Sequence, residues 1–235
     1  MDSIISIKVK KTNAYFYFKK SNYNRMMDSI KKLKWRYAVK KFDSTKFLSD
    51  LKIEILKEAF NLTATSYGLQ PIKLVIVNDK EIQDNLVKCS FGQQQIIQAS
   101  HILIFCIENQ INEKYIRDYF NLIKKIRNTS DEILQPFQEA LITTFSKKDA
   151  NEIRIWAINQ AYLAMGNLLT VCAMEEIDAC PMEGFLADGY DDILNLKDKN
   201  LTSVLVMPVG YRAEDDIFSN FDKVRKSIND SIIQL

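Results

Sequence analysis

Residues 155–174 read IWAINQAYLAMGNLLTVCAM, a run of twenty positions without a charge. Its length alone would allow a membrane span, which needs about 20 apolar residues. Asn159, Gln160, Asn167 and Thr170 interrupt it, however, and the flanking segments have ordinary globular composition. A helix that is apolar all round is covered on every side, and in a domain this small a second subunit is an economical cover. The run is predicted to be the core helix of an obligate homodimer, not a membrane anchor.

Outward from this helix the chain alternates helical and strand patterns from Ser29 onward, as α/β and α+β domains do. Residues 50–62 carry an apolar stripe at Leu51, Ile55, Ala59 and Leu62, with Asp50 placed to cap the helix. The β-branched run IKLVIV (72–77) and the run HILIFCI (101–107) read as strands, the second of them buried. Residues 80–98 read as helix broken at Gly92, and 112–146 as two amphipathic helices interrupted around RNTSDEILQP. IDAC (177–180) and SVLVMPVG (203–210) form a further strand pair.

The 235 residues, 47% hydrophobic, can bury a substantial core. The net charge of +2 excludes a uniformly basic nucleic-acid binder. Residues 1–25 hold Lys8, Lys10, Lys11, Lys19, Lys20 and Arg25 against Asp2, a net +5, so the rest of the chain sums to −3. This leading segment has no helical stripe and is expected to be a basic, poorly ordered extension over residues 1–26. MDSI occurs at 1–4 and again at 27–30, which makes Met26 or Met27 an alternative start. A basic arm for membrane or nucleic acid and a transit peptide are the other readings. The body is assigned to 27–235.

Cys89, Cys106, Cys172 and Cys180 are scattered, with no C-x-x-C pair, and read as cytosolic thiols. His101 is the only histidine, which excludes two-histidine mechanisms and most zinc sites; no metal site is expected. The Gly-rich dinucleotide and phosphate loops and the nucleophile elbow are absent. The carboxylate pairs Glu175–Glu176, Asp191–Asp192 and Asp215–Asp216 hold neighbours that point apart, and read as solvated surface. An enzyme built this way would leave the hard chemistry to a bound cofactor.

Three stretches could hold one. KWRYAVKKFD (34–43) sets Lys34, Arg36, Lys40 and Lys41 against Asp43 alone. TATSYGLQP (63–71) is a hydroxyl-rich loop ending in a turn. In CPMEGF (180–185), Pro181 and Gly184 impose an irregular backbone whose N–H groups can face a ligand. Lys223 and Arg225 in DKVR, two apart, point the same way if that segment is extended. With Arg36 they could bind a phosphate through charge-assisted hydrogen bonds.

In their order, RYAVKKFD (36–43), SYGLQP (66–71), ASHILIFC (99–106), NQAYLAMGNLL (159–169), DACPMEGF (178–185) and KVR (223–225) resemble the FMN-dependent nitroreductase family, in particular its oxygen-insensitive NAD(P)H nitroreductase and dihydropteridine reductase branch. The resemblance runs from about Ser29 to Arg225. It implies an α+β sandwich, a mostly antiparallel sheet flanked by helices, in an intertwined homodimer with FMN at the interface. It also implies reduction of nitroaromatics, quinones or pteridines by NAD(P)H in ping-pong fashion through flavin N5, in the cytoplasm and without a nucleic-acid partner.

Position by position, the resemblance assigns Arg36, Tyr37, Ala38 and Lys40 to the first FMN-binding element, with Arg36, Lys223 and Arg225 at the phosphate and Lys40 near flavin N1 and O2. Thr65, Ser66 and Gly68 match a loop reaching FMN from the other subunit. Pro181, Met182, Glu183 and Gly184 match the stretch against the isoalloxazine, where Glu183 acts through its backbone N–H. Substrate contacts are expected from the 112–146 helices, with Tyr119, Phe120 and Phe145 as the aromatic candidates and core packing as the role of at least one of them. Two departures stand out. Ala38 replaces a frequent hydroxyl residue, and Gly92 and Gln95 replace an Asn and a Lys that line the flavin. One cation fewer near N1 makes the flavin harder to reduce by roughly 1 kcal/mol. Flavin destruction, dehalogenation and enone or azoline redox on the same fold are the rival chemistries.

Overall fold

Strands form where the apolar runs predict them, and they join in one antiparallel sheet. In the computed structural model, which describes residues 28–235, β1 (Ile72–Val77), β2 (His101–Glu108), β3 (Asp178–Ala179) and β4 (Leu201–Gly210) stand in the order β1-β2-β4-β3. The expected extension over 1–26, with its alternative starts, lies outside the described residues. β2 is buried on both faces because its pleat divides an unbroken apolar run. Leu103, Phe105 and Ile107 enter one core cluster, while Ile102, Ile104 and Cys106 enter the other.

Helices cover both faces. After α1 (28–35), α2 (Asp50–Asn61) packs on the Phe105 side. On the Ile104 side lie α3 (Lys80–Lys88) and α4 (Gln95–Gln98), through Leu86 and Ile96. Further along, α5 (Glu113–Arg127), α6 (Asp131–Ser146) and α7 (Ala150–Met174) join the Phe105 side. α8 (Ala187–Ile193) adds Tyr190 to the Ile104 side, and a short α9 (Ile228–Ser231) follows near the C-terminus. No helix among the described residues is long and apolar enough to cross a membrane.

The uncharged run is the body of α7, which begins with a capping box between Asp149 and Glu152. One face, including Ala157, Ala161, Ala164, Leu168 and Cys172, is buried against the sheet. The chain itself does not cover the helix all round. Ile155, Tyr162 and Leu163 are 45–55% exposed on the other side, where Gly166 and Thr170 are also exposed.

Local expectations needed three corrections. The cap of α2 is Ser49, whose hydroxyl accepts from Lys52 N, not Asp50. The stripe chosen on α2 has the wrong phase: Ile53 and Leu56 are buried, and Leu51 and Leu62 are 71% and 79% exposed. Both stripes are apolar, so periodicity alone cannot choose between them. The break between α5 and α6 is confined to 128–130, because Asn128 takes the left-handed conformation that closes α5. Pro136 is accommodated inside α6.

The strand register sets the two ends of the molecule apart. Ile72 stands opposite Ile107, and Ile107 opposite Thr202. Ala38 bridges Ala179, which stands opposite Val209. Thr202 to Val209 spans roughly 23 Å along β4 at the usual rise per residue. The Thr65–Gly68 loop before β1 and the Ala38 segment beyond β3 therefore lie at diagonally opposite corners of the sheet.

Candidate active site

The segment after α1 is held as an extra edge next to β3. Val39 N donates to Ala179 O (3.3 Å), and Phe42 bridges Arg212 in antiparallel fashion. Beside it the Arg212 guanidinium lies between the Trp35 and Tyr37 rings, 4.4 and 4.5 Å from their centroids. Arg212 Nε and Nη2 both donate to Asp178 Oδ1, at 2.8 and 2.6 Å, and Arg212 N donates to Asp178 Oδ2. Tyr37 is turned toward Asp216, to which its hydroxyl donates (2.8 Å). Burial and this carboxylate raise the Tyr37 pKa well above its ordinary value.

Arg36, Lys223 and Arg225 lie close enough to feel one another's charge. Burial lowers the pKa of Arg36, and the nearby Arg225 charge lowers it further. Lys223 is lowered by burial and then by Arg36, Arg225 and Arg212. Among the described residues no carboxylate pairs with any of the three. Three cations that raise one another's cost of ionisation, with no carboxylate among the described residues to neutralise them, leave a local excess of positive charge. Of the other cations in KWRYAVKKFD, Lys41 pairs with Asp215 at the surface, and exposed Lys34 offers its carbonyl to Lys223.

Lys40 leads from this cluster to the CPMEGF stretch, its Nζ 4.0 Å from Cys180 Sγ. Buried Gln95 directs its Nε2 to Gln93 Oε1 (3.5 Å), and burial raises the pKa of the Cys180 thiol. Met182 exchanges two backbone hydrogen bonds with Val206 at the open edge of β4. The next peptide is held from two sides. Gln93 Nε2 donates to Gly184 O (2.9 Å), and the Tyr162 hydroxyl on α7 donates to Glu183 Oε1 (2.9 Å). Among the described residues, the N–H groups of Glu183 and Gly184 donate to no protein acceptor. Pro181 is half-buried between these contacts.

The Thr65–Gly68 loop is built separately, at the far corner. Ser66 N donates to Gln160 Oε1 (2.8 Å), and Thr65 Oγ1 accepts from Gln70 N (3.0 Å). Tyr67 and Gly68 have φ of 59° and 73°. A Cβ on Gly68 would lie 2.2 Å from the Tyr119 hydroxyl oxygen. Gly68→Ala is thus expected to destabilise the protein by about 2 kcal/mol through the left-handed backbone and the displaced Tyr119, read from urea unfolding. Tyr119 is half-buried and belongs to this loop's surroundings. Phe120 is fully buried, and Phe145 is 4% exposed with its ring 5.0 Å from Trp156. Both phenylalanines are core residues, the role expected for at least one of the three aromatics, which leaves Tyr119 as the partly exposed one.

Sequence reasoning missed the supporting residues. Asp191 and Asp216 are each 3% exposed, so two carboxylate pairs expected at the surface each send one member inward. Asp191 accepts from Ser203 N, and Asp216 from Tyr37 Oη, Lys40 N, Lys41 N and Phe218 N. The signal was available, since neighbours on a chain point apart. Nothing in the local sequence marks Gln93, Tyr162 or Asp178. Among the described residues no cluster of His, Cys, Asp or Glu could hold a metal. His101 opens β2 with Nδ1 bonded to Ser100 Oγ, and burial and Lys80 lower its pKa.

Comparison with known proteins places these features. A provisionally named NAD(P)H nitroreductase of Staphylococcus aureus is 34% identical over 204 residues, covering 83% of this chain and 90% of that protein. A Bacillus subtilis protein with the same provisional name is 30% identical over 193 residues, 77% of this chain and 87% of that one. Among solved structures, a nitroreductase of Exiguobacterium sibiricum, also provisionally named and in complex with FMN, superposes with a TM-score of 0.74 at 18% identity, over 88% of this chain and 96% of that one. A nitroreductase family protein of Streptococcus pneumoniae gives 0.73 at 22%, over 88% and 98%. The α+β architecture is therefore the nitroreductase fold. The Nitroreductase family model matches residues 33–211, so the chain belongs to the nitroreductase family of oxidoreductases.

Proposed function

We propose that the chain is an FMN-dependent NAD(P)H oxidoreductase that works as a homodimer and reduces electron-poor acceptors such as nitroaromatics, quinones or pteridines. The observation that carries this reading is the cation trio without a carboxylate, joined through Lys40 to a peptide with two unpaired N–H groups. A phosphate at one end and a flavin ring edge at the other fit these donors. Bound FMN supplies two-electron transfer between a reduced nicotinamide and the acceptor.

The chain's own residues bind and orient. Arg36, Lys223 and Arg225 hold the phosphate. Lys40 would supply positive charge beside the ring of a bound flavin, and Gln95, with no charge, would leave Lys40 as the main cation there. The Glu183 N–H would face the ring edge, on a stretch held by Gln93 at the Gly184 carbonyl and by Tyr162 at the Glu183 carboxylate. Pro181, Met182, Gly184, Tyr37 and Ala38 shape the same wall. Thr65, Ser66 and Gly68 lie too far away to complete that wall in one chain. In this reading a second copy brings them, and the exposed uncharged face of α7 is what it covers. The assignment to the cytoplasm belongs to the same proposal.

The test is the absorbance of purified protein, followed by anaerobic titration with NADH and with NADPH. Flavin bands that bleach on adding the nicotinamide are expected. A colourless protein that fails to take up added FMN would overturn the reading.

A further inference from the structure

We propose that Asp216 is a positioning residue that locks the two halves of the cation site, the Arg36–Lys41 segment and the stretch leading to Lys223 and Arg225, into one unit. Its role toward FMN rests on the reading above; its role in the fold does not. One oxygen, Oδ2, accepts from Tyr37 Oη (2.8 Å), Lys40 N (2.9 Å) and Lys41 N (3.2 Å). The other, Oδ1, accepts from Phe218 N (3.2 Å), which caps the 3-10 turn Ile217–Asn220. That turn hands the chain on to Lys223, whose Nζ returns to Lys34 O. Asp216 thus ties the residues flanking Arg36 to the residues preceding Lys223, across more than 170 positions of sequence.

On charge alone this is a poor place for a carboxylate. It is 3% exposed, and its negative charge stands near a cluster that attracts an anion. Burial pushes its pKa up, yet the donated N–H and O–H groups hold it below the ordinary carboxylate value, so it remains ionised. What the group provides is geometry, because both of its oxygens accept and no neutral side chain of that size offers four such bonds. The repulsion among Arg36, Lys223 and Arg225 would otherwise push their two segments apart.

Two substitutions separate geometry from charge. Asp216→Ala loses all four bonds. Asp216→Asn can turn its carbonyl oxygen to the Oδ2 position, where its two lone pairs keep the two shortest bonds, from Tyr37 Oη and Lys40 N, while the charge is gone and the amide nitrogen faces Phe218 N. With FMN, Asp216→Ala is expected to weaken binding at least tenfold, whereas Asp216→Asn stays within about threefold of wild type. Without FMN, hydrogen exchange of the Lys40 amide should accelerate at least tenfold in Asp216→Ala and little in Asp216→Asn. An Asp216→Ala enzyme that keeps both wild-type FMN affinity and slow exchange would overturn the proposal. So would an Asp216→Asn enzyme as impaired as Asp216→Ala, because the charge and not the geometry would then matter. If wild type shows the protected amide but takes up no FMN, the cofactor reading fails and the positioning role stands.

Discussion

Arg36→Gln is expected to weaken FMN binding by about 10- to 100-fold. A charge-assisted hydrogen bond contributes about 1.5–3 kcal/mol, and each 1.4 kcal/mol is a factor of ten. Arg36 is half-buried and pairs with no carboxylate among the described residues, which on the proposed reading leaves its charge to the phosphate. The cofactor-free protein should respond with the opposite sign. Removing one of three mutually repelling cations relieves strain between the Arg36 and Lys223 segments, so its melting temperature should hold or rise while FMN-induced stabilisation shrinks. Lys34→Gln and Lys41→Gln serve as controls, since Lys34 is exposed and Lys41 is paired with Asp215 at the surface. Equal losses in all three variants, followed by flavin fluorescence titration, would return the cluster to ordinary surface.

Arg212→Leu should destabilise the fold by about 3–5 kcal/mol, the usual consequence of leaving a buried ion pair with one partner. Asp178 is 5% exposed and takes two hydrogen bonds from the Arg212 guanidinium, which the substitution removes, besides one from Arg212 N, which it keeps. The same substitution empties the slot between Trp35 and Tyr37, so the segment leading to Arg36 loses its stacking support. Urea unfolding measures the loss. Adding Asp178→Asn to Arg212→Leu should restore part of it, because the orphaned charge is then removed. A single variant within 1 kcal/mol of wild type would show that water, not Arg212, satisfies Asp178.

The sequence displays the strands and the long helix well, for a physical reason. Runs such as HILIFCI and IKLVIV are apolar beyond what any exposed segment needs, and α7 carries no charge over twenty positions. The candidate site's cations were also legible, because Arg36 and Lys40 stand among four cations answered by Asp43 alone and Lys223 and Arg225 recur two apart. Helix phase was not: α2 offers two apolar stripes, and only the position of the sheet selects Ile53 and Leu56. The supporting polar residues were hidden for a different reason. Asp216, Gln93 and Tyr162 act over sequence separations of 176, 91 and 21, and a chain read locally shows each as an ordinary surface side chain. Which of Tyr119, Phe120 and Phe145 enter the core was not legible, because an aromatic on an amphipathic helix looks the same whether it faces core or ligand.

The placement of the Thr65–Gly68 loop and the Ala38 segment at opposite corners of the sheet bears on mass action. On the proposed reading, each flavin draws its contacts from two chains, so cofactor occupancy and self-association are a single linked equilibrium. Flavin strengthens the pairing of subunits by the same factor that pairing strengthens the hold on flavin. The protein's colour then becomes a function of its own concentration, and dilution bleaches it without any chemistry.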